Sequence, residues 1–262
     1  MSTQSHSEKP SSGEKPQEDH KTLFGYHLVE EDAKAEEVRH VFDSVAPKYD
    51  LMNDMLSFGT HRLWKHRCIR EAALRPGMKV LDIASGTADL AIEMAERIGA
   101  ENVTATDINY EMLAIGAKRL AEHHFEKAAV VEADAERLPF EDESFDLVTV
   151  SFGIRNMTHK ERALREMLRV LRPGGRLLVL EFSHCHAWLK PFYDFYSFHL
   201  MPWVGGKIAG DSASYRYLAE SIRMHPAQKP FAEMMKHAGF VSVNWHNLTF
   251  GICALHTGSK AS

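Results

Sequence analysis

Met78-Lys79-Val80-Leu81-Asp82-Ile83-Ala84-Ser85-Gly86-Thr87-Ala88-Asp89-Leu90-Ala91 decides the fold. Val80, Leu81 and Ile83 form a short apolar run of the kind buried on both faces of a parallel sheet. Ala84 to Ala88 are small, so the backbone can turn tightly and let a ligand approach. From Thr87 onward, Leu90, Ala91, Met94, Ala95 and Ile98 recur at helical spacing. Strand, small-residue turn, helix is the opening of a doubly wound α/β fold, with unpaired N–H groups at the helix N-terminus.

The turn carries one glycine, Gly86, so the G-x-G-x-x-G pattern of dinucleotide folds is absent. It is similar instead to motif I of S-adenosylmethionine-dependent methyltransferases. A second strand, Asn102 to Ala105, leads to Asp107, which stands twenty residues after Thr87. That is the spacing of a ribose-binding carboxylate. Read without a ligand, the same stretch is an ordinary strand-to-helix turn with a solvated aspartate.

The alternation continues. Helix is expected over Glu111–Glu122, strands over Ala128–Ala133 and Phe145–Val150, and an amphipathic helix over His159–Leu171. Arg172-Pro173-Gly174-Gly175 is a strong turn before a fifth strand, Arg176–Phe182. Such a rhythm implies a parallel sheet with right-handed crossovers and ligands at the strand carboxyl ends. Asp82, Asp107, Asp134 and Ser151 all fall there. A helix over Phe231–Ala238 closes at Gly239. Strands Val241–Leu248 and Ile252–His256 are close enough to pair as a hairpin, giving a sheet with one reversed strand.

Around this core the first twenty-two residues are polar and predict a disordered tail. They have no apolar h-region, and their acidic residues argue against a transit peptide. Residues 23–76 read as a helical cover. Val38, Val41, Phe42, Val45 and Tyr49 place a helix over Asp32–Met55, with Pro47 as a break. Residues 184–226 interrupt the rhythm with Trp188, Phe192, Tyr193, Phe195, Tyr196, Phe198 and Trp203. They read either as a helical pair packed on the core or as a lid lining an apolar tunnel. Residues 23–262 thus form one domain.

A net charge of −5 excludes a polyelectrolyte character, so nucleic acid is not expected as a partner. Three widely separated cysteines, Cys68, Cys185 and Cys253, fit a reducing, cytoplasmic compartment. No apolar run approaches the ~20 residues that span a bilayer. His184-Cys185-His186 has metal-ligand residue types, but alternate strand residues point to opposite faces, and no metal is expected.

Several stretches narrow the class. Val41-Phe42-Asp43-Ser44-Val45-Ala46-Pro47-Lys48-Tyr49-Asp50, Leu56 to Lys65, Ser151-Phe152-Gly153-Ile154-Arg155-Asn156, Leu168 to Gly175 and Ser214 to Pro226 closely resemble the ubiquinone/menaquinone biosynthesis C-methyltransferases. The resemblance runs from about Thr22 to the C-terminus. It implies a Rossmann-like class I fold, with a mostly parallel seven-stranded sheet, helices on both faces and a helical insert after the fifth strand.

The resemblance also implies S-adenosylmethionine as methyl donor, held by Gly86, Thr87, Asp107, Asp134, Ala135 and Ser151, and no metal. The acceptor it implies is a prenylated quinol: demethylmenaquinol, 2-polyprenyl-6-methoxy-1,4-benzoquinol, or both. Asp107 would hold the ribose, Asp134-Ala135 frame the adenine, and Ser151 sit near the methionine end. Tyr49, His61, Arg155, Asp211, Tyr215 and Arg216 are the candidates for proton transfer or phenolate stabilisation. The prenyl tail would occupy the aromatic insert. The enzyme would touch the inner face of the cytoplasmic membrane transiently, alongside other quinone-biosynthesis enzymes or as a homo-oligomer.

One departure stands out: the family usually has glycine where this chain has Ser85 and Ala88, and a Cβ strains any position that needs positive φ. Two other readings compete with catalysis on a quinol. One is a methyltransferase for another phenolic or lipid acceptor. The other is a quinone-binding scaffold that no longer binds the cofactor.

Overall fold

The computed structural model describes residues 21–45, 53–54, 57, 59–208 and 212–262. Tyr49, Pro47, Asp211 and the tail before Lys21 lie outside the described residues. The described chain opens on a hairpin, β1 (Lys21–Phe24) and β2 (His27–Glu30), turned at Gly25 with φ +56°. This corrects the tail boundary, because Lys21 and Thr22 are already in a strand. It also corrects the all-helical cover. Four-residue strands are too short for periodicity to reveal, and tertiary contacts hold them. Phe24 stacks on Tyr217 with ring centroids 4.1 Å apart, and the Tyr26 N–H donates to Glu220 Oε2 at 3.1 Å.

Helix α1 (Glu31–Val45) and helix α2 (His61–Ala72) follow. The helix expected to reach Met55 is thus described as helix to Val45, with Asn53 and Asp54 again helical.

The core then alternates: β3 (Val80–Ile83), α3 (Asp89–Ile98), β4 (Val103–Asp107), α4 (Tyr110–Glu122), β5 (Ala129–Glu132), β6 (Phe145–Ser151), α5 (Lys160–Val170) and β7 (Leu171–Phe182). The expected turn at residues 172–175 survives as a bulge within β7: Leu171 pairs with Phe145, and pairing resumes at Arg176 with Leu147. The insert forms α6 (Lys190–Phe195), one wider turn over Tyr196–Leu200, α7 (Met201–Ile208) and α8 (Ser212–Met224). Helix α9 (Gln228–His237) ends at Gly239, φ +106°. The hairpin β8 (Val241–Leu248) and β9 (Cys253–Ser259) completes the chain.

The seven-stranded sheet has the order β5-β4-β3-β6-β7-β9-β8. Its pairs are parallel except those made by β9, the one reversed strand. The class I methyltransferase-type sheet expected from the sequence is therefore present. Strand alternation sorts the core into two layers. Val80, Leu147, Leu178 and Leu180 face α2, α3 and α8. Leu81, Ile83, Val148, Val150, Leu177 and Val179 face α5 and α9. After β3 the chain winds out to β5, then returns to β6 on the other side of β3. That reversal opens a crevice at the strand carboxyl ends.

Candidate active site

The crevice is a cavity of about 340 Å³ at the ends of β3, β4, β5 and β6. Gly86, Asp107, Asp134 and Ala135 line it, as the sequence led one to expect. The turn above it uses left-handed residues at alternate positions: Ala84 (φ +52°), Gly86 (φ +53°) and Ala88 (φ +65°). Of Ser85 and Ala88, Ala88 therefore takes the strained conformation and Ser85 does not. Two other glycines hold the turn close. A Cβ on Gly116 of α4 would lie 2.8 Å from the Gly86 carbonyl oxygen, and one on Gly153 would lie 2.4 Å from the Ala84 Cβ.

Asp107 is wired into this turn. Its Oδ2 accepts the Gly86 N–H at 2.8 Å and its Oδ1 accepts the Asn109 N–H at 2.9 Å. Burial raises its pKa above the usual carboxylate range, and these backbone donors oppose the rise. Asn109, which sequence reading passed over, caps α4 by accepting the Met112 N–H at 2.9 Å. Its Nδ2 donates to Asp43 Oδ1 at 2.8 Å, so α1 is tied across the cavity mouth, where Val38, Arg39 and Phe42 line the wall. The signal was present: an asparagine directly before an apolar-periodic run.

Other expected residues lie elsewhere. Thr87 is buried and does not line the cavity; its carbonyl accepts Arg119 Nη1 at 2.7 Å. Arg119 and Lys65 both hold Asp89, each at 2.6 Å. Burial favours the neutral acid at Asp89, but these two cations prevail and depress its pKa. Ser151 ends β6 outside the cavity lining, with its Oγ buried and unpartnered among the described residues, as is the Ser85 Oγ. Asp134 Oδ1 accepts the Glu136 N–H at 2.8 Å.

Among the candidates for proton chemistry, His61 is buried at the start of α2, 3.0 Å from Ser57 Oγ and 3.6 Å from Asp54 Oδ1. Burial lowers its pKa. Tyr215 is fully buried in the core and Arg216 is exposed; neither lines this cavity. Arg155 is buried in an ion pair, Nη1 to Glu181 Oε1 at 2.7 Å, and also donates to the Phe152 carbonyl at 2.5 Å. It walls a second cavity, of about 180 Å³, between the β1–β2 hairpin, α1, α5 and α8.

The arrangement fits a nucleoside bound through its ribose: a buried carboxylate at a strand end, a backbone turn kept bare by glycines, and an unpaired serine hydroxyl beside it. A model of the ubiE/COQ5 methyltransferase family matches residues 30–260. The chain belongs to that family. Among its relatives is the ubiquinone/menaquinone biosynthesis C-methyltransferase UbiE of Bordetella parapertussis. It is 55% identical over 246 residues, which cover 94% of this chain and 95% of that one. The protein of the same name from Laribacter hongkongensis is 55% identical over 243 residues, covering 92% and 99%.

Solved structures share the fold at low identity. A methyltransferase from Aquifex aeolicus has a TM-score of 0.55 at 14% identity, covering 74% of this chain and 88% of that one. Phosphoethanolamine N-methyltransferase 2 of Haemonchus contortus, solved with S-adenosyl-L-methionine, has a TM-score of 0.59 at 16% identity, covering 76% and 52%. The ubiE/COQ5 family chain is accordingly an S-adenosylmethionine-dependent C-methyltransferase.

Proposed function

We propose that the 340 Å³ cavity holds S-adenosylmethionine, and that the enzyme moves its methyl group to a ring carbon of a prenylated hydroquinone. That acceptor is demethylmenaquinol, 2-polyprenyl-6-methoxy-1,4-benzoquinol, or both. The observation that carries the cofactor assignment is Asp107, a carboxylate at the end of β4 that lines the cavity directly beneath the Gly86 turn. Each of its oxygens keeps a further lone pair for a ribose hydroxyl. Gly86 admits the ligand to the backbone, and Asp134 and Ala135 frame the base.

When bound, the sulfonium supplies an already activated methyl group. The protein's part is to orient the two partners and exclude water, and orientation alone is worth ~7–11 kcal/mol. Phe152 and Met157 supply apolar wall, and α1 covers the mouth. The Ala88 replacement does not argue for a scaffold without cofactor. The turn already adopts its left-handed form there, and the strain amounts to about 1–2 kcal/mol.

The acceptor's tail supports a peripheral position on the inner face of the cytoplasmic membrane. Among the described residues no helix is long and apolar enough to cross a membrane. Phe192, Phe195 and Trp203 of the insert are 72%, 64% and 61% exposed, too much for a core-facing stripe. Lys207 lies 5.7 Å from the Trp203 ring centre, and Lys190 beside Phe192 is paired with Asp194 at 2.5 Å. Exposed aromatic rings of this kind suit the boundary between lipid headgroups and acyl chains. The test of the function is incubation of the purified enzyme and S-adenosylmethionine with quinols from a strain lacking it. A product heavier by one methylene supports the reading; unchanged quinols contradict it.

A further inference from the structure

We propose that the second cavity is an anion-binding subsite, in which Lys34 and Lys160 hold the ionised ring oxygen of the acceptor. The inference rests on the quinol reading above and assigns that reading's acceptor a place.

The wall of this cavity is Thr22, Leu23 and Gly25 of the hairpin segment, Lys34, Arg155, Thr158, Lys160, and Tyr217, Ser221 and Met224 of α8. Among the described residues it contains three cations and no carboxylate. The nearby acids lie behind the wall and are engaged. Glu181 takes Arg155 at 2.7 Å, and Glu136 accepts the His159 N–H and faces its ring nitrogen, both at 2.8 Å. Glu31 lies 3.4 Å from the other His159 ring nitrogen. Among the described residues Lys160 Nζ donates once, to the Met157 carbonyl at 2.9 Å, leaving two N–H bonds for a ligand. Lys34 is 5% exposed and has no ion pair among the described residues. The acids around the wall, Glu31, Glu136, Glu181 and the buried Glu220 behind Gly25, balance the site's charge from outside, so what the wall presents inward is cationic N–H donors. An anion entering the cavity meets them directly.

The two cavities adjoin. Thr158 lines both, and Tyr217 Oη donates at 3.1 Å to Asn156 Oδ1, a residue of the first cavity. An anion here is therefore next to the cofactor cavity. An amino-acid carboxylate would bring its own ammonium, and the wall offers that ammonium no acid. An aryl oxygen brings no cation, and Leu23, Tyr217 and Met224 give its ring apolar contact. Such an oxygen, once ionised, makes the ring carbon nucleophilic. That carbon's electron pair forms the new C–C bond, and the pair of the broken C–S bond stays on sulfur. The hydrogen on the attacking carbon leaves as a proton to solvent, restoring the phenolate.

The groups facing Lys160 are Lys34 from α1, Arg155 from the turn after β6, Glu181 from β7, Glu136 from the loop after β5, and His225 after α8. Burial, with Lys34 beside it, brings Lys160 down to about 8, and burial lowers Lys34 as well. The ammonium that holds the oxygen is thus present below about pH 8 and lost above it.

The experiment compares wild type with Lys160→Met, Lys34→Met and Lys160→Arg on a short-chain demethylated naphthoquinol kept reduced with dithionite. Melting temperature and calorimetric S-adenosylmethionine affinity are recorded alongside. Lys160→Met should lower kcat/KM by about 10- to 100-fold, with cofactor affinity unchanged. Lys160→Arg should keep activity and abolish the alkaline decline near pH 8, because arginine stays charged. In parallel, 1-naphthol, whose absorbance reports ionisation, should ionise at lower pH when bound to wild type but not to Lys160→Met. Three results would overturn the proposal: folded lysine variants with wild-type kcat/KM, an alkaline limb unchanged in Lys160→Arg, or cofactor affinity falling in step with kcat/KM. The last would assign the lysines to the cofactor's carboxylate. If wild type bound naphtholate but methylated no quinol, the subsite would stand and the acceptor reading would fail.

Discussion

Replacing Asp107 by alanine removes an acceptor from the cavity and unties the turn above it. The carboxylate takes two buried backbone donors, Gly86 N–H at 2.8 Å and Asn109 N–H at 2.9 Å. Leaving a buried donor unpaired costs ~1–3 kcal/mol, so the two together lower stability by ~2–6 kcal/mol. At about 2–4 °C per kcal/mol for a domain of this size, melting should fall by roughly 5–20 °C. The ribose contact is a separate loss: a charge-assisted hydrogen bond is worth ~1.5–3 kcal/mol, so cofactor affinity should drop about 10- to 100-fold. Asp107→Asn separates the two effects. Its carbonyl still accepts one backbone N–H, so its melting should fall less. It lacks the charge, so its affinity should fall nearly as far. The assay is calorimetric titration of S-adenosylmethionine well below each variant's melting temperature, paired with thermal melts. Wild-type affinity in folded Asp107→Ala would show that the carboxylate only supports the turn, and would refute the ribose assignment.

Two further outcomes follow from buried charges. Asp82, in the middle of the sheet, has its pKa pushed up to about 7 by burial, although Thr149 Oγ1 donates to it at 2.6 Å. An acid whose folded pKa is raised stabilises the fold most when protonated, and that stability is lost as pH climbs from about 4 to 7. Asp82→Asn, which keeps an acceptor for Thr149 without the charge, should therefore gain on wild type as pH rises from 5 to 8, by a few kcal/mol on the order of the linkage. A difference in melting that does not vary with pH would refute this. Arg155→Met should destabilise by ~3–5 kcal/mol in urea unfolding, since it strands Glu181 in the core, and Arg155→Met with Glu181→Met should recover most of that. Independent, additive losses would show that the pair is not coupled.

The sheet was legible because its strands are short apolar runs bounded by strong turns, as at Val80–Ile83 and Phe145–Ser151, and because Gly239 ends α9 as a glycine stop should. The reversed strand was legible from the close spacing of the last two strands. Within the site, Asp107 and Asp134 were legible because position after a strand fixes where a side chain emerges, Gly86 because it sits in the small-residue turn after β3, and Ala135 only through the family resemblance. Thr87 and Ser151 sit at such positions too, yet side chains one residue apart can fall on opposite sides of the wall. The hairpin at Lys21–Glu30 left no periodic signal. The second cavity was invisible because it is tertiary. Lys34, Arg155, Lys160 and Tyr217 come from four separate segments; Arg155 stood among the candidates, whereas Lys34, Lys160 and Tyr217 each alone read as ordinary helical residues. The aromatic insert divides where its sequence does not: Tyr193, Tyr215 and Tyr217 turn inward, while Phe192, Phe195 and Trp203 face out.

The acceptor's redox state tests the chemistry most directly. A ring carbon attacks a sulfonium methyl only when its oxygens donate electrons, which the quinol does and the oxidised quinone does not. Purified enzyme, S-adenosylmethionine and one demethylated prenyl naphthoquinone should be followed by mass spectrometry with and without dithionite. The expected result is methylated product with the reductant and little or none without it. Equal rates in both arms, with other reductants excluded, would contradict carbon methylation of a quinol by this enzyme.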